Sequence, residues 1–552
     1  MSTDPTTCYR ALTARDRRFD GVFFVGVTTT GIYCRPVCPA RLPARDRCRF
    51  FGHAGAAEAA GFRPCLRCRP ERAPGRAIVD ASRNLAERAA ARIGAGALNE
   101  GGVDDLAAEL HVGPRQLRRT MKREFGATPV QLAQTHRLLL AKRLLTESSL
   151  PVTQVAFASG FSSLRRFNAL FKKRYRMSPS RLRRDGGGAG PDQESEGSEA
   201  GASPEHESGG SVAGASREQE GGGSVAGASR EQKGGGSVTG TAPDQESGGF
   251  AAAPLTLTLE YRAPYDWEAL LAFLAARTVP GLEIVEESRE ATRYLRTMSI
   301  GEHRGWVAAR PAPDGTPALE VEVSLSLLPV LMLVLTRLRS LFDLDAEPET
   351  IRAHLEDDPV LAPRLRRRPG LRVPGAADGF ELAWRAILGQ QVSVRAARTL
   401  AGRFAEAFGE AAPASAGLPD GLVRFPARAE VVSEAGPERI RELGVTGSRS
   451  ECIHRLAQLV AERGVVLDPG ADVEGTMSRL QSVKGIGPWT ARYIALRALH
   501  WPDAFPDGDL GLRQAMGGAS ASDLRRAAEP WRPWRAYAAL HLWQGLADSD
   551  EA

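Results

Sequence analysis

The 552-residue sequence predicts a multidomain chain: a small α+β domain rich in cysteine, an all-α domain of two helix-turn-helix units, a disordered linker, a second α+β domain and a final all-α domain. Three observations predict it. Five of the seven cysteines fall between Cys34 and Cys68. Charge is segregated: residues 1–184 carry 34 Lys and Arg against 14 Asp and Glu, net +20, while residues 185–249 are net −9 and residues 250–552 net −5. The stretch from Asp185 to Gly249 has no aromatic residue and repeats GGSVAGASREQ at Gly209 and Gly222. Hydrophobic residues at 42% and charged residues at 25% exclude a wholly disordered or fibrous chain. The longest apolar run, Leu325 to Leu335, is about half of the roughly 20 residues that span a bilayer, and MSTDPTTCYR lacks a signal peptide's apolar core. A cytoplasmic protein associated with the nucleoid, with no membrane partner, is therefore expected.

Residues 1–75 form the first domain, with short β-like runs (GVFFVGV, CRFFG) between Cys, Arg and Pro. Cys34 and Cys38 are three residues apart and Cys65 and Cys68 two, with 26 residues between the pairs, a spacing that suits one tetrahedral Zn²⁺. Four thiolates on Zn²⁺ leave a net charge of −2. Nearby arginines (Arg35, Arg41, Arg45, Arg47, Arg63, Arg67, Arg69) are expected to soften it and to attract phosphate. Cys48 reads as a packed or free thiol, and Cys8 and Cys452 as structural. The spacing alone also fits a purely structural zinc knot.

Residues 76–184 turn helical. VDDLAAELHVGPRQLRRTMKREFG (Val103 to Gly126) places Leu106, Ala107, Leu110, Val112, Leu117 and Phe125 on an inner face, with Gly113 at the turn. PVTQVAFASGFSSLRRFNALFKKRYRMSPSRLR (Pro151 to Arg183) repeats the plan around Val155, Ala156, Phe161, Phe167 and Phe171. The excess positive charge makes nucleic acid the expected partner of this half.

Residues 185–249 read as a flexible acidic tether, its ends roughly 40–50 Å apart, so the two flanking halves are expected to work semi-independently. Residues 250–365 follow as an α+β domain, with strands at Leu255–Tyr261, Glu283–Val285 and Ala318–Ser326 and a helix at Trp267–Ala276. Residues 366–552 are helical from about Phe380. There LQSVKGIGPWTA (Leu480 to Ala491) gives a helix end, a GxG turn and a new helix at Pro488, where backbone amides around Gly485 to Gly487 can hold a DNA phosphate.

Three family resemblances cover most of the chain. TTTGIYCRPVCPAR (Thr28 to Arg41) followed by AGFRPCLRCRP (Ala60 to Pro70) closely resembles the N-terminal zinc domain of the Ada family. That resemblance implies a methylphosphotriester repair and sensor module in which the thiolate at the CRP position, Cys34, accepts a methyl group irreversibly. Methylation would move the site from −2 to −1 and reduce its repulsion from DNA. The paired helix-turn-helix units resemble the AraC family DNA-binding domain, which implies promoter DNA and RNA polymerase as partners and a recognition helix in each of two major grooves. The contact candidates are Arg115, Gln116, Arg118 and Arg119, then Ser162, Ser163, Arg165, Arg166 and Asn168.

The GxG turn with Lys484, Gly485 and Gly487, Asp509 in FPDGDLGLRQ, and WRPWRAYAALHLW (Trp531 to Trp543) together resemble the helix-hairpin-helix DNA glycosylases, in the AlkA branch of 3-methyladenine DNA glycosylases II. FELAWRAILGQQVSVRAA (Phe380 to Ala397) and GLRVPG (Gly370 to Gly375) support it. The resemblance implies alkylated double-stranded DNA as substrate, Asp509 as the carboxylate that stabilises a cationic sugar, and Trp489, Tyr493 and Trp543 as the base pocket. It also implies a place for a monovalent cation at the hairpin. Asp507 competes with Asp509, but only Asp509 has the family spacing to Leu512 and Arg513; the bland reading of Asp509 is a helix N-cap. Trp489 stands where bifunctional relatives carry a Schiff-base lysine, so no strand cleavage by β-elimination is expected. Gln391 replaces a leucine wedge and offers a polar plug instead. No PCHR-type methyltransferase motif of the Ada family is present. The sequence therefore reads as an alkylation-response fusion: zinc methyl sensor, transcriptional activator, tether and monofunctional glycosylase. The rival is a regulator whose second half only binds damage.

Overall fold

The computed structural model describes residues 5–16, 19–21, 23–52, 54–70, 85–185, 253–287 and 291–550, so the tether expected over residues 185–249 lies outside the described residues except for Asp185, which ends a helix. In the first domain, α1 (Pro5–Thr13) precedes β1 (Phe24–Val27), β2 (Ile32–Cys34), β3 (Cys48–Phe51), α2 (Ala54–Ala59) and β4 (Arg63–Pro64). The sheet order is β3-β1-β2-β4. β4 runs parallel to β2, and the Cys65 amide donates to Tyr33 O at 2.9 Å, so the strand ends bearing Cys34 and Cys65 lie side by side.

The helical domain comprises α3 (Leu85–Gly94), α4 (Ala97–Glu100), α5 (Val103–Glu109), α6 (Pro114–Phe125), α7 (Pro129–Glu147), α8 (Val152–Ala158), α9 (Leu164–Tyr175) and α10 (Pro179–Asp185). The inner faces expected of both units are buried, Val112 only partly. The first tight turn does not use Gly113 as its left-handed residue: Gly113 has φ −74°, and His111 adopts φ 56° instead. α7 starts with a reciprocal cap, Thr128 Oγ1 accepting from the Gln131 amide and Gln131 Oε1 from the Thr128 amide.

The second half opens with β5 (Leu255–Glu260), α11 (Trp267–Ala275), β6 (Glu283–Glu286), β7 (Arg293–Ile300), β8 (His303–Pro311) and β9 (Ala318–Val323), in the order β5-β9-β8-β7-β6. β7 and β8 are strands that the sequence reading did not single out. β9 ends earlier than expected: Ser324 Oγ accepts from the Trp306 amide at 2.9 Å, and the chain turns into a 3₁₀ helix over Leu325–Val330. Helices also begin before Phe380, with α12 (Leu331–Leu341), α13 (Pro348–Leu355) and α14 (Ala362–Arg367). The final array is α15 (Gly379–Leu388), α16 (Val394–Phe408), a small hairpin of β10 (Glu410–Ala411) and β11 (Arg424–Phe425), α17 (Ala429–Arg441), α18 (Gly447–Ala461), α19 (Val473–Ser482), α20 (Pro488–Arg497), α21 (Leu510–Ala515), α22 (Ala521–Ala527) and α23 (Arg535–Asp550).

The halves are packed together, which differs from the semi-independence expected of a tethered pair. One apolar cluster runs from α7, α8 and α9 (Leu144, Val155, Phe167) into β5, the 3₁₀ turn and α12 (Leu257, Leu327, Leu331). Polar contacts add to it: Arg88 Nε donates to Gly470 O at 3.2 Å, and Arg143 donates to Thr258 O on β5. Charge supplies a further reason, since a basic half meets an acidic one.

Within the second half, a buried ionic network ties the sheet to the helical array. Glu283 on β6 and Glu381 on α15 both receive Arg296 of β7, at 3.1 and 2.8 Å, and Arg385 of α15, at 3.1 and 2.8 Å. Burial pushes the Glu283 carboxyl up, but Arg385 and Arg296 outweigh it and hold the group below the ordinary glutamate value. This network fixes α15, whose C-terminal end carries the loop with Gln391.

Removing one partner of such a network strands buried charge, so Arg296→Met is expected to cost about 3–5 kcal/mol. All eight tryptophans lie in the second half, so the urea midpoint followed by tryptophan fluorescence reports this half alone. Because Glu283 is depressed, its stabilisation is complete above the ordinary glutamate range and lost as pH falls through the folded value. The variant should therefore also show a flatter acid limb, and an unchanged midpoint would refute the role given to Arg296.

Candidate functional site

Asp509 sits where three helices converge. It is the N-cap of α21, with Oδ1 accepting from the Leu512 amide at 3.0 Å. Trp489 of α20 donates its indole N–H to Oδ2 at 3.0 Å, and Trp543 of α23 donates to Oδ1 at 2.8 Å. The capping and site readings therefore describe the same carboxylate. Gly511 leaves the space: a Cβ there would lie 3.2 Å from Asp509 Oδ1 and 3.3 Å from Trp543 Cδ1. These three donors to Asp509 are neutral, and among the described residues it has no ion-pair partner. Asp507 has the opposite environment, buried and gripped by Arg492 and Arg525. Arg513, the basic residue of the motif, donates to Ala519 O at 2.9 Å.

Trp489 and Tyr493, one turn apart on α20, stack with ring centroids 5.5 Å apart and planes 12° from parallel. The three aromatic residues are half-buried. The Tyr493 hydroxyl accepts from Arg497 at 2.9 Å. Burial raises the phenol's pKa, but Arg497, Arg277 and Arg385 outweigh it and bring the phenol below its ordinary value. Arg497 is in turn anchored on the carbonyls of Pro374 and Gly375, in the GLRVPG segment.

The hairpin between α19 and α20 exposes Lys484, Gly485 and Gly487. Gly485 has φ 105°, and a Cβ on it would meet Cys452 Sγ at 2.9 Å, which explains both the glycine and the buried cysteine beneath it. Gln391 is exposed at the end of α15 with φ 55°. Its neighbour Gln390 was missed by sequence reasoning, yet it ties that loop to the hairpin. Gln390 Nε2 donates to Gly485 O at 3.1 Å and to Thr490 Oγ1 at 2.8 Å. Only the adjacency of two amides in LGQQVS could have signalled it.

In the first half, Cys34, Cys38, Cys65 and Cys68 bring their sulfurs within 4.8 Å of one another. That spacing fits a shared ion at about 2.3 Å from each sulfur. Four sulfurs with no carboxylate among them are a donor set for zinc rather than for a hard cation. The four residues are equally buried, so exposure does not distinguish Cys34. Cys48 stands apart, its thiol donating to Ala44 O at 3.3 Å. The surrounding arginines do not behave as a group. Arg41, Arg45, Arg47 and Arg67 are exposed, whereas Arg35 is buried against Asp20 and Glu260 and Arg69 pairs with Glu147 at 3.0 Å. These last two are committed inside the protein.

On the helical domain, Arg115, Gln116, Arg118 and Arg119 of α6 are exposed, as are Ser162 and Arg165, Arg166 and Asn168 of α9. Ser163 has a structural duty as the N-cap of α9, accepting from the Arg166 amide at 3.4 Å. Among the described residues, no helix is long and apolar enough to cross a membrane.

Four family descriptions match the chain in succession: the metal binding domain of Ada over residues 7–71, a helix-turn-helix domain over 106–185, the AlkA N-terminal domain over 256–378, and the HhH-GPD superfamily base excision DNA repair protein over 384–529. The chain is 38% identical to the DNA-3-methyladenine glycosylase 2 of Escherichia coli over 287 residues, covering 52% of this chain and 96% of that protein. Among solved structures, the 3-methyladenine DNA-glycosylase of Archaeoglobus fulgidus aligns with a TM-score of 0.43 and 24% identity, over 52% of this chain and 97% of that one. A Mycobacterium tuberculosis protein described as "Probable bifunctional transcriptional activator/DNA repair enzyme AlkA" is 36% identical over 550 residues, 99% of this chain and 97% of the relative. With that identity over nearly the whole of both proteins, the chain belongs to the family of bifunctional transcriptional activator/DNA repair enzymes of the AlkA type.

Proposed function

We propose that the second half hydrolyses the N-glycosidic bond of alkylated bases in double-stranded DNA, as a DNA-3-methyladenine glycosylase, and that the first half is a methyl-accepting zinc-cysteine sensor joined to a sequence-specific transcriptional activator. The observation that carries the enzymatic reading is the contrast between two neighbouring carboxylates. Asp507 is neutralised by Arg492 and Arg525, whereas Asp509 is fixed by neutral N–H groups and keeps its charge for a ligand.

An alkylated purine is cationic, so it leaves with the bonding electron pair when the C1′–N bond breaks. The sugar then becomes oxocarbenium-like. Asp509 offsets that developing positive charge and orients the water that adds to C1′ and gives up a proton. The faces of Trp489, Tyr493 and Trp543 attract the electron-poor base. Lys484 and the hairpin around Gly485 and Gly487 hold backbone phosphate, and Gln391 stands at the edge of the flipped-out gap. With tryptophan at 489 there is no amine there for a Schiff base, which makes the enzyme monofunctional. No step is assigned to a monovalent cation; Gly485 O at the hairpin accepts from Gln390.

In the sensor, Cys34, Cys38, Cys65 and Cys68 would hold zinc, which keeps the sulfurs deprotonated at neutral pH. The Cys34 sulfur attacks the methyl carbon of a methylphosphotriester: an S–C bond forms, the C–O bond breaks, and the electron pair leaves on the phosphate oxygen. The activator function uses the exposed faces of α6 and α9 on promoter DNA, with RNA polymerase as the recruited partner.

Release of free base from methylated duplex DNA is the direct test, with abasic sites scored separately from strand breaks. Wild type should release base without nicking, and Asp509→Asn should lose at least about 100-fold of the rate, roughly 2.7 kcal/mol of barrier. No release by folded wild-type protein would leave the regulator with a damage-binding half.

For the sensor, exposure to DNA bearing methylphosphotriesters should raise the intact mass by one methyl group. Cys34→Ala should remain unmodified. A methyl group mapped to another cysteine would overturn the assignment of Cys34.

A further inference from the structure

The cysteine cluster is wired to the second half by two relays that leave the same loop and end on the same strand. The first passes through Arg35, the residue after Cys34. Its backbone amide donates to Cys68 Sγ at 3.4 Å and its guanidinium to Cys68 O at 3.2 Å. The same guanidinium binds Asp20 at 2.8 Å and reaches the Glu260 carboxylate at the end of β5. The second starts at Arg69, the residue after Cys68, held at φ 52°. Arg69 pairs with Glu147 at 3.0 Å, Glu147 with Arg143 at 3.0 Å, and Arg143 donates to Thr258 O on β5.

Among the described residues β5 is an edge strand, paired only with β9, and both relays reach it. Beside the first relay lies a cleft of about 450 Å³ between the halves. Glu260, Glu347 and Glu349 of the second half, with Arg262 as the one cation among them in the lining, face Arg15, Arg35 and Asp20 of the first across it.

We propose that the charge of the cysteine cluster sets how firmly the glycosylase half is held on the sensor, through the facing charge of Glu260. This rests on the zinc-bearing, methyl-accepting reading of the cluster. The sign follows from Coulomb's law. A cluster at −2, together with Asp20, outweighs the two positive charges of Arg15 and Arg35 and repels the acidic wall of the second half. Methyl transfer to Cys34 takes the cluster to −1, the repulsion falls, and the halves bind more tightly. A protein that has met alkylated DNA thus keeps its repair half firmly attached to its sensor.

The experiment starts from the full zinc-loaded chain with a protease site placed between residues 190 and 249, cut after folding, and reads the dissociation constant of the two pieces at low salt. Methylation by methylphosphotriester DNA, verified by mass, should tighten association about tenfold, within the range usual for coupled sites. In Glu260→Gln, methylation should change it less than twofold. Cys34→His keeps four zinc ligands but replaces one thiolate by a neutral ring. It makes the same charge step without any methyl group and should also tighten association.

Equal affinities for methylated and unmethylated wild type, or a full methylation effect in Glu260→Gln, would overturn the proposal. If no methyl is taken up, the reading of Cys34 fails by mass alone, and Cys34→His still decides the coupling: tightening supports it, and no change refutes it.

Discussion

The second half is organised around one carboxylate that is held by neutral donors and paired with no cation among the described residues. A half-buried Asp usually finds a guanidinium or an ammonium, as Asp507 does two residues away. Asp509 instead takes N–H groups from Trp489, Trp543 and Leu512. Hydrogen bonds to a charged group stabilise by about 1.5–3 kcal/mol each, enough to fix its orientation while leaving its field uncompensated. The demand reaches far into the fold. α20 must start at Pro488 to aim Trp489, α23 must pass beside α21 to bring Trp543, and a side chain at Gly511 would crowd both Asp509 and Trp543. Both indoles thereby put their N–H edge on the carboxylate.

The loop and the hairpin to which DNA contact is assigned under the proposed function are braced by the rest of the second half. Gln390 pins the loop carrying Gln391 to the hairpin, and the Glu283, Glu381, Arg296 and Arg385 network pins α15 to the sheet. The first half follows the same logic: the Cys65–Cys68 loop is clamped by Lys142, whose ammonium donates to Cys65 O at 3.1 Å, and by Arg35. Sensor, reader and enzyme thus share supporting contacts, and the fusion is a packed assembly rather than beads on a string.

Much of this was legible from residues. Cysteine spacing located the four-sulfur cluster, apolar periodicity located both helix-turn-helix units, and Asp509, which motif spacing singles out over Asp507, has no ion-pair partner among the described residues, whereas Asp507 has two. What the sequence hid were the pairings between distant segments. Arg35 and Arg69 look like phosphate-attracting surface arginines until folding places Glu260 and Glu147 opposite them. The tether suggested independence because composition describes the linker and says nothing of complementary faces. β7 and β8 were passed over: RYLRTMSI and HRGWVAARP interleave arginines with apolar residues, and some of those arginines turn inward to buried carboxylates, as Arg296 does. The aromatic residues were identifiable as ring faces, but the hydrogen bonds from their edges depend on the meeting of α20, α21 and α23.

The most direct test is equilibrium binding to duplexes that carry either a cationic pyrrolidine or a neutral tetrahydrofuran in place of the damaged nucleoside. If Asp509 presents an uncompensated charge to the sugar, wild type should prefer the cationic duplex by at least about tenfold, some 1.4 kcal/mol, and Asp509→Asn should bind the two alike. Equal binding by wild type, or a cation preference that survives in Asp509→Asn, would contradict the account.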